Sequence, residues 1–333
     1  MNKELIRLEI KGDIAYIIMN NPPLNIFTRQ MLSQFSELLK KLEDKSCNVR
    51  VAILKSDVPN LFSAGADVKT MVDLSVEDSK EFSRLGQDIT RRIELLPIPV
   101  IVSLDGFVLG GGSEIALACD FRIASDRILI GQPEINIGVI PGWGGSQRLP
   151  RTVGIANARL ITYTGRKFNA DEAVKMGYVD MVVPSEKLSE ETDKLALEIS
   201  SKGRVALAAM KNAMHLSWDL PLDKSLELER EIWGILFATN DQKEGMRAFL
   251  EHRAAQFRDP RSYIDLLKPI EKEEKNSGIT SSFKESKGES TVGDFCEDMM
   301  KINLIGMNLS DLYIKNTSHI FNEWERLLRG QYK

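Results

Sequence analysis

The sequence predicts an α/β protein, with a core of strands alternating with helices followed by a helical C-terminal region. Three observations predict it. Short apolar strands recur between amphipathic helical segments in the first part of the chain, a pattern that implies βαβ crossovers and layered packing. From about residue 154 the pattern becomes almost wholly helical, with one short strand at 179–183. The composition, 43% apolar and 28% charged over 333 residues, is that of a soluble globular protein and excludes collagen-like, disulfide-scaffold and wholly disordered readings.

Residues 5–10 alternate and residues 14–19 run apolar around Lys11-Gly12-Asp13, the signature of a β-hairpin. Asn21-Pro22-Pro23 breaks the second strand. Residues 28–42 place Met31, Leu32, Phe35, Leu38, Leu39 and Leu42 on one side of a helix, with Thr28 as N-cap. A strand follows at 49–54. A helix at 78–96 is stopped by Pro97 and Pro99. Residues 100–104 form a buried-type strand. Gly110-Gly111-Gly112 then lead into an apolar helix, 114–119, and 121–124 is a strand again. Helices are expected near 155–163, 170–176, 186–202, 204–216, 222–238 and 241–257, and no internal repeat is found.

Charge and ligand chemistry narrow the function. With 44 basic and 48 acidic residues the net charge is −4, so electrostatics gives no reason to expect nucleic-acid binding. Cys47, Cys119 and Cys296 are scattered singly, as are His215, His252 and His319. No metal site or disulfide framework is expected from such spacing, and a reducing compartment fits it. No apolar run approaches the roughly 20 residues that span a bilayer. The N-terminal segment has acids and no apolar core, unlike a signal or transit peptide. A cytoplasmic location is expected.

Three segments could carry chemistry. In the first, Asp105 to Glu114, consecutive glycines at a strand-to-helix junction leave backbone N–H groups bare for a docking anion. No Gly-Lys-Ser/Thr follows, so this is not a P-loop. GxGxxG fails too, because Gln147 stands where the third glycine after Gly142 and Gly144 is required. The remaining use is an oxyanion hole. The second segment, Gly131 to Pro150, places Glu134 in an apolar, strand-like context, while Glu114 opens an apolar helix. Carboxylates in such surroundings tend toward raised pKa values, and two from different elements suit general acid/base work. Helix capping by Glu114 and a salt bridge for Glu134 are the structural alternatives. In the third segment, Leu61 to Lys69, the small residues Ala64, Gly65 and Ala66 let a ligand approach the backbone. Taken alone it reads as a tight turn, with Asp67 capping the next helix.

Together the segments identify a family. Asn21-Pro22-Pro23-Leu24-Asn25, the run from Phe62 to Lys69, the run from Gly106 to Glu114, and Gly131 through Pro150 resemble the crotonase superfamily, also called the enoyl-CoA hydratase/isomerase family. The runs beginning at Phe168 and Glu244 fit as well, and the likeness extends from about residue 3 to 260. It implies a crotonase-like ββα spiral core across which an acyl-CoA thioester lies bent. It implies an oxyanion hole formed by the Ala66 and Gly111 N–H groups. Glu114 and Glu134 are both present, as in the hydratase branch, with Glu114 on the attacking water and Glu134 supplying the C2 proton. Gln132 is expected to orient a carboxylate and the Gly142 N–H to hold Glu134. Ser63, Ala64, Gly65, Asp67, Lys69, Gly110, Gln132, Pro141, Gly142 and Trp143 are expected around substrate or CoA. No cofactor beyond the CoA of the substrate is implied, and a homotrimer or dimer of trimers is. Trp143 is bulkier than the residue common at its position, so it packs or shortens the acyl space. Arg148 and Arg151 suggest ion pairs rather than phosphate contacts.

The expected organisation is a spiral core with the active site over 1–200, a helical oligomerisation region over 201–260, a polar linker over 261–291 and an amphipathic helical extension over 292–333. In the extension Phe295, Met299, Ile302, Leu309, Tyr313, Ile320 and Leu327 recur at helical steps. Such a stripe must be covered, by its own oligomer or by a protein partner. Alternatives to a hydratase are another acyl-CoA reaction of the family (isomerisation, ring-ketone hydrolysis, decarboxylation) or a scaffold that uses the extension as a tether.

Overall fold

The structure, a computed structural model, describes residues 3–44, 46–259 and 261. Strands β1 (Ile6–Lys11) and β2 (Ile14–Met19) form the antiparallel hairpin, with Lys11 opposite Ile14. Helix α1 (Arg29–Glu43) is capped by Thr28, whose side chain accepts from Met31 N. Its buried residues are the six apolar positions the periodicity selects. Next come β3 (Val51–Ser56), β4 (Leu61–Ser63), α2 (Val68–Met71) and α3 (Val76–Leu95). They are followed by β5 (Val100–Leu104), β6 (Phe107–Leu109), α4 (Gly111–Ala118), β7 (Phe121–Ser125) and β8 (Leu129–Gly131). A 3-10 turn, Pro133–Ile137, leads to α5 (Gly145–Thr164), β9 (Lys167–Asn169), α6 (Ala170–Met176) and β10 (Met181–Val183). Helices α7 (Leu188–Ser200), α8 (Arg204–Ser217), α9 (Leu222–Leu236) and α10 (Asn240–Leu250) complete the described elements.

The strands form two sheets, one of six strands in the order β1-β2-β3-β5-β7-β10 and one of four in the order β4-β6-β8-β9. The chain visits them alternately, β3 then β4, β5 then β6, β7 then β8, so each step is a ββα turn of a spiral. Within the large sheet β2, β3, β5, β7 and β10 pair in parallel. A parallel sheet is covered on both faces, which explains the near-continuous apolar runs Val51–Leu54 and Val100–Val102 in its central strands. Val51 and Ile53 of β3 and Ile101 of β5 face the cluster under α7, with Leu188 and Ala196. Ala52, Leu54, Val100 and Val102 alternate to the other side, into the core shared with α1 and α3.

Helix α8 is fastened by a buried lysine. Lys211 Nζ donates to Ile93 O (2.9 Å), Ile98 O (3.0 Å) and Asp120 Oδ2 (2.7 Å). All three ammonium donors are thereby used, which is what permits a charge there. Some bounds differ from the sequence reading. Helix α5 begins at Gly145 and bends at Gly154, where the backbone leaves helical space, so the expected 155–163 is only its second half. Helix α10 ends at Leu250, short of 257. The expected polar linker over 261–291, Arg261 aside, and the expected amphipathic extension over 292–333 lie outside the described residues.

Candidate active site

Two backbone segments meet at the site. In the loop after β4, Ser63 Oγ donates to Asn25 O (2.7 Å) and accepts from Gly65 N (3.0 Å). Phe27 bridges to Ala66 in parallel, Phe27 N donating to Gly65 O (2.9 Å) and Asp67 N donating to Phe27 O (3.3 Å). A parallel bridge of this register takes its bonds from the residues on either side of Ala66 and leaves the Ala66 N–H outside the ladder. Gly111 is the first residue of α4, so its N–H has no partner within the helix. The segments come so close that a Cβ at Gly65 would lie 2.9 Å from Leu109 O and 3.3 Å from Gly111 N. Gly65 also has φ of 98°, so only glycine suits this crossing.

Two carboxylates flank the crossing. Glu114, on α4, is 2% exposed. Its Oε1 accepts from Trp143 N and Gly145 N, both at 2.7 Å. Burial raises the Glu114 pKa; the two N–H groups and the Arg148 charge offset this only in part. Glu134 lies in the 3-10 turn, and its Oε1 would stand 3.0 Å from a Cβ on Gly110. Burial pushes its pKa up to about 7, with a bond to its own backbone opposing and the charge of Glu114 adding. Gln132 is buried between them. In the amide orientation that satisfies both ends, it donates to Glu134 Oε1 (3.0 Å) and Oε2 (3.2 Å) and accepts from Ser113 Oγ (3.2 Å). Ser113 Oγ in turn shares a 2.6 Å hydrogen bond with the hydroxyl of buried Tyr178.

A crossing with two N–H donors outside the ladders, beside a buried and a half-buried carboxylate, can hold an oxyanion while protons move, and comparison with known proteins shows the family of the chain. Residues 9–260 match the enoyl-CoA hydratase/isomerase family. The chain belongs to this family. It is 41% identical over 258 residues to the crotonyl-CoA hydratase of Syntrophomonas wolfei, covering 77% of this chain and 99% of that protein. It is 38% identical over 247 residues to the short-chain-enoyl-CoA hydratase of Clostridium acetobutylicum, covering 74% and 94%. Among solved structures it is similar to an enoyl-CoA hydratase from Bacillus anthracis, with TM-score 0.73 and 33% identity over 76% of this chain and 99% of that one. The ββα spiral expected from the resemblance is the fold shared with these enoyl-CoA hydratases.

The remaining expected residues take distinct places in this member of the family. Ser63 and Asp67 brace their own loop, Asp67 accepting from Lys69 N at the start of α2. Ala64 is half-buried and Lys69 is exposed on α2. Gly110 backs onto Glu134, and Pro141 lines an apolar hollow of about 260 Å³ with Ile135, Val139, Ile140, Ile155 and Tyr163. Three expectations are corrected. Glu134 sits in a 3-10 turn, not a strand, because Pro133 starts a helical turn and Gly138, at φ 77°, ends it. The N–H groups expected from Gly142 to Glu134 come from Trp143 and Gly145 and reach Glu114, because the N-terminus of α5 points at α4. Glu114 neither caps its helix nor joins an ion pair, and Glu134 has no ion-pair partner among the described residues. Trp143 is 3% exposed and packs edge-on against Phe27 and Phe82, both with ring centroids 5.7 Å away. Arg148 pairs with Glu94 and Arg151 with Asp219. Tyr178 and Ser113 were not legible as site residues, since 65 positions separate them.

Proposed function

We propose that this chain adds water across the C2–C3 double bond of an enoyl-CoA thioester, or removes it from a 3-hydroxyacyl-CoA, as a hydro-lyase. The observation that carries this reading is the pair of glutamates, Glu114 buried and Glu134 half-buried, beside the Ala66 and Gly111 N–H groups. The thioester oxygen sits between those N–H groups, which take up the charge that develops on it; one such donor is worth about 3–4 kcal/mol. Glu114 holds the attacking water through the oxygen not claimed by Trp143 and Gly145, and receives its proton as the oxygen bonds to C3. Glu134, a neutral acid up to about pH 7, gives its proton to C2. The enolate collapses, and exchange with solvent returns the carboxylates to their starting state. Water addition is redox-neutral, so no electron acceptor enters the balance, and CoA is part of the substrate.

The apolar hollow beside Pro141 and Gly145 takes the acyl chain. The segments over 1–200 and 201–260 serve as catalytic core and oligomerisation region, with 261–291 as linker and 292–333 as an added segment beyond the family match. Exposed Trp233, Phe249 and Leu250 on the closing helices support assembly into a trimer or dimer of trimers, to be read by light scattering. No helix among the described residues is long and apolar enough to cross a membrane.

The test is crotonyl-CoA hydration, followed by loss of enoyl-thioester absorbance. Glu114→Gln and Glu134→Gln should each lower kcat by about 10²–10⁴ with thioester binding retained. Near-normal rates in either variant would refute the two-carboxylate mechanism.

A further inference from the structure

The acid held most firmly in the site takes its two bonds from the Trp143 and Gly145 N–H groups, and the Trp143–Gly144 peptide that lies between those donors is itself gripped from behind. Trp143 donates its N–H to Glu114, and its carbonyl accepts from Thr90 Oγ1 (3.0 Å) and Arg148 Nη1 (2.9 Å). Arg148 also bonds Thr90 Oγ1 (3.2 Å) and forks onto Glu94, Nε to Oε1 at 2.6 Å and Nη2 to Oε2 at 2.9 Å. Thr90 is buried, and the Arg148 and Glu94 side chains are 15% and 13% exposed. The guanidinium passes Gly144 so closely that any Cβ there would overlap it. On the other side the Trp143 ring lies where a Cβ on Gly86 or Gly111 would fall. One residue therefore touches the backbone of the proposed oxyanion donor with its ring and the proposed base with its N–H.

We propose that Arg148 is a positioning residue for Glu114, acting through the Trp143–Gly144 peptide that it, Thr90 and Glu94 fix in place between the two N–H donors of that carboxylate. The inference rests on the reading of Glu114 as the group that takes the proton of water. With the preceding peptide held at Gly142 O by Ser83 and Gln87, fixing the Trp143–Gly144 peptide keeps the N–H groups of Trp143 and Gly145 on Oε1, which leaves the other oxygen aimed at one place. The Arg148 charge works in the same direction, favouring the ionised carboxylate against its burial. The other titratable groups facing this carboxylate are Glu134 from the 3-10 turn and Tyr178 from the chain after α6. Glu94, on α3, stands behind Arg148. Neither Glu134 nor Tyr178 supplies a positive charge, so the favouring of the ionised form depends on the N–H groups and on Arg148.

Replacing Arg148 alone would leave Glu94, in a half-dry site, with only the longer contact to Arg91 (3.2 Å), so the test uses the neutral pair Glu94→Gln with Arg148→Gln, and Arg148→Lys as the conservative variant. Three readouts are taken on the full chain: kcat and KM for crotonyl-CoA hydration, the pH profile of kcat/KM, and the titration of the Glu114 side-chain carboxyl by ¹³C NMR, assigned with Glu114→Gln. In the neutral pair kcat should fall by about tenfold or more while KM changes by less than about threefold, because a small misplacement of a reacting group acts on the chemical step. The acid limb of the profile and the Glu114 titration should both move to higher pH. Arg148→Lys should return the titration toward its original position while recovering kcat only in part, since an ammonium cannot reproduce the fork. A folded neutral pair with kcat within about twofold and an unmoved Glu114 titration would overturn the proposal and leave Arg148 a purely structural ion pair. The two readings fail separately. If Glu114→Gln keeps its hydration rate, the catalytic role of Glu114 falls, and the carboxyl titration still decides whether Arg148 governs its state.

Discussion

Glu134→Gln should make this enzyme inactive and, above neutrality, more stable. Burial lifts the Glu134 pKa from the ordinary 4.5 to about 7. An acid with a folded pKa above its unfolded one binds more protons when folded, so stability falls as pH rises from the lower value through the higher. At about 1.4 kcal/mol per pH unit, the penalty of ionising Glu134 in the fold approaches about 3 kcal/mol at about pH 8. Near pH 5 it is less than about 1 kcal/mol. Glutamine keeps the shape and the contact with Gln132 and cannot ionise, so it removes the penalty. Urea unfolding of the wild type and the variant at these two pH values measures it. The variant should gain up to about 3 kcal/mol near pH 8 and little near pH 5, while hydration falls by about 10²–10⁴. Loss of activity with no pH-dependent gain in stability would mean that Glu134 is not held neutral by its surroundings, and the proton-donor role argued from that state would go with it.

Gly65→Ala places a Cβ against Leu109 O and Gly111 N at a positive φ. It should lower kcat by up to about 10²–10³, the cost of one misplaced oxyanion donor, in the crotonyl-CoA assay. Lys211→Met removes the cation from buried Asp120, whose pKa burial pushes up and the Lys211 charge, with bonds from His215 and Lys211, brings below its usual range. The loss should be about 3–5 kcal/mol in urea unfolding, partly recovered by adding Asp120→Asn. A chain shortened to end at Pro260, where the family match ends, should keep hydration activity within about twofold, read by the same assay; an inactive product would make the residues beyond 260 part of the catalytic unit.

Where long-range packing and local pattern agree, the sequence could be read directly. Helix α1 shows this: an N-cap threonine and six apolar residues at helical spacing each did in the fold what they do in an isolated helix. Strand β5 was equally legible, with four apolar residues and Ser103 between a proline-rich stop and a glycine-rich turn. The small sheet was not, because β4, β6, β8 and β9 have three residues each, too short for a period of two to register. The first half of α5 is not legible because it carries Pro150 and ends in a bend at Gly154; its start is set by the contact of Gly145 N with Glu114. The proposed catalytic pair is suggested by apolar context, and its roles are implied by the resemblance. The groups that hold the pair come from Trp143, Gly145, Gln132, Ser113 and Tyr178, and no local pattern connects positions so far apart.

Their arrangement gives two like residues unlike environments. Glu114 meets the N-terminus of α5, two backbone donors and, at longer range, a guanidinium, which favour its charged form and offset in part the larger opposing effect of its burial. Glu134 meets Gln132 and apolar neighbours and feels Glu114 as a like charge, which favours its neutral form. Hydration requires one acid ready to accept a proton and one ready to give it, and the fold separates the two by what it places around each. The separation is also conditional. Ionising Glu114 makes it harder to ionise Glu134, so the proton that leaves water at one carboxylate eases release from the other. Moving Glu114 to higher pH, as the neutral Arg148 pair should, therefore acts on both ends of the reaction. Its expected signature is a narrowed pH range of activity as well as a lower maximum.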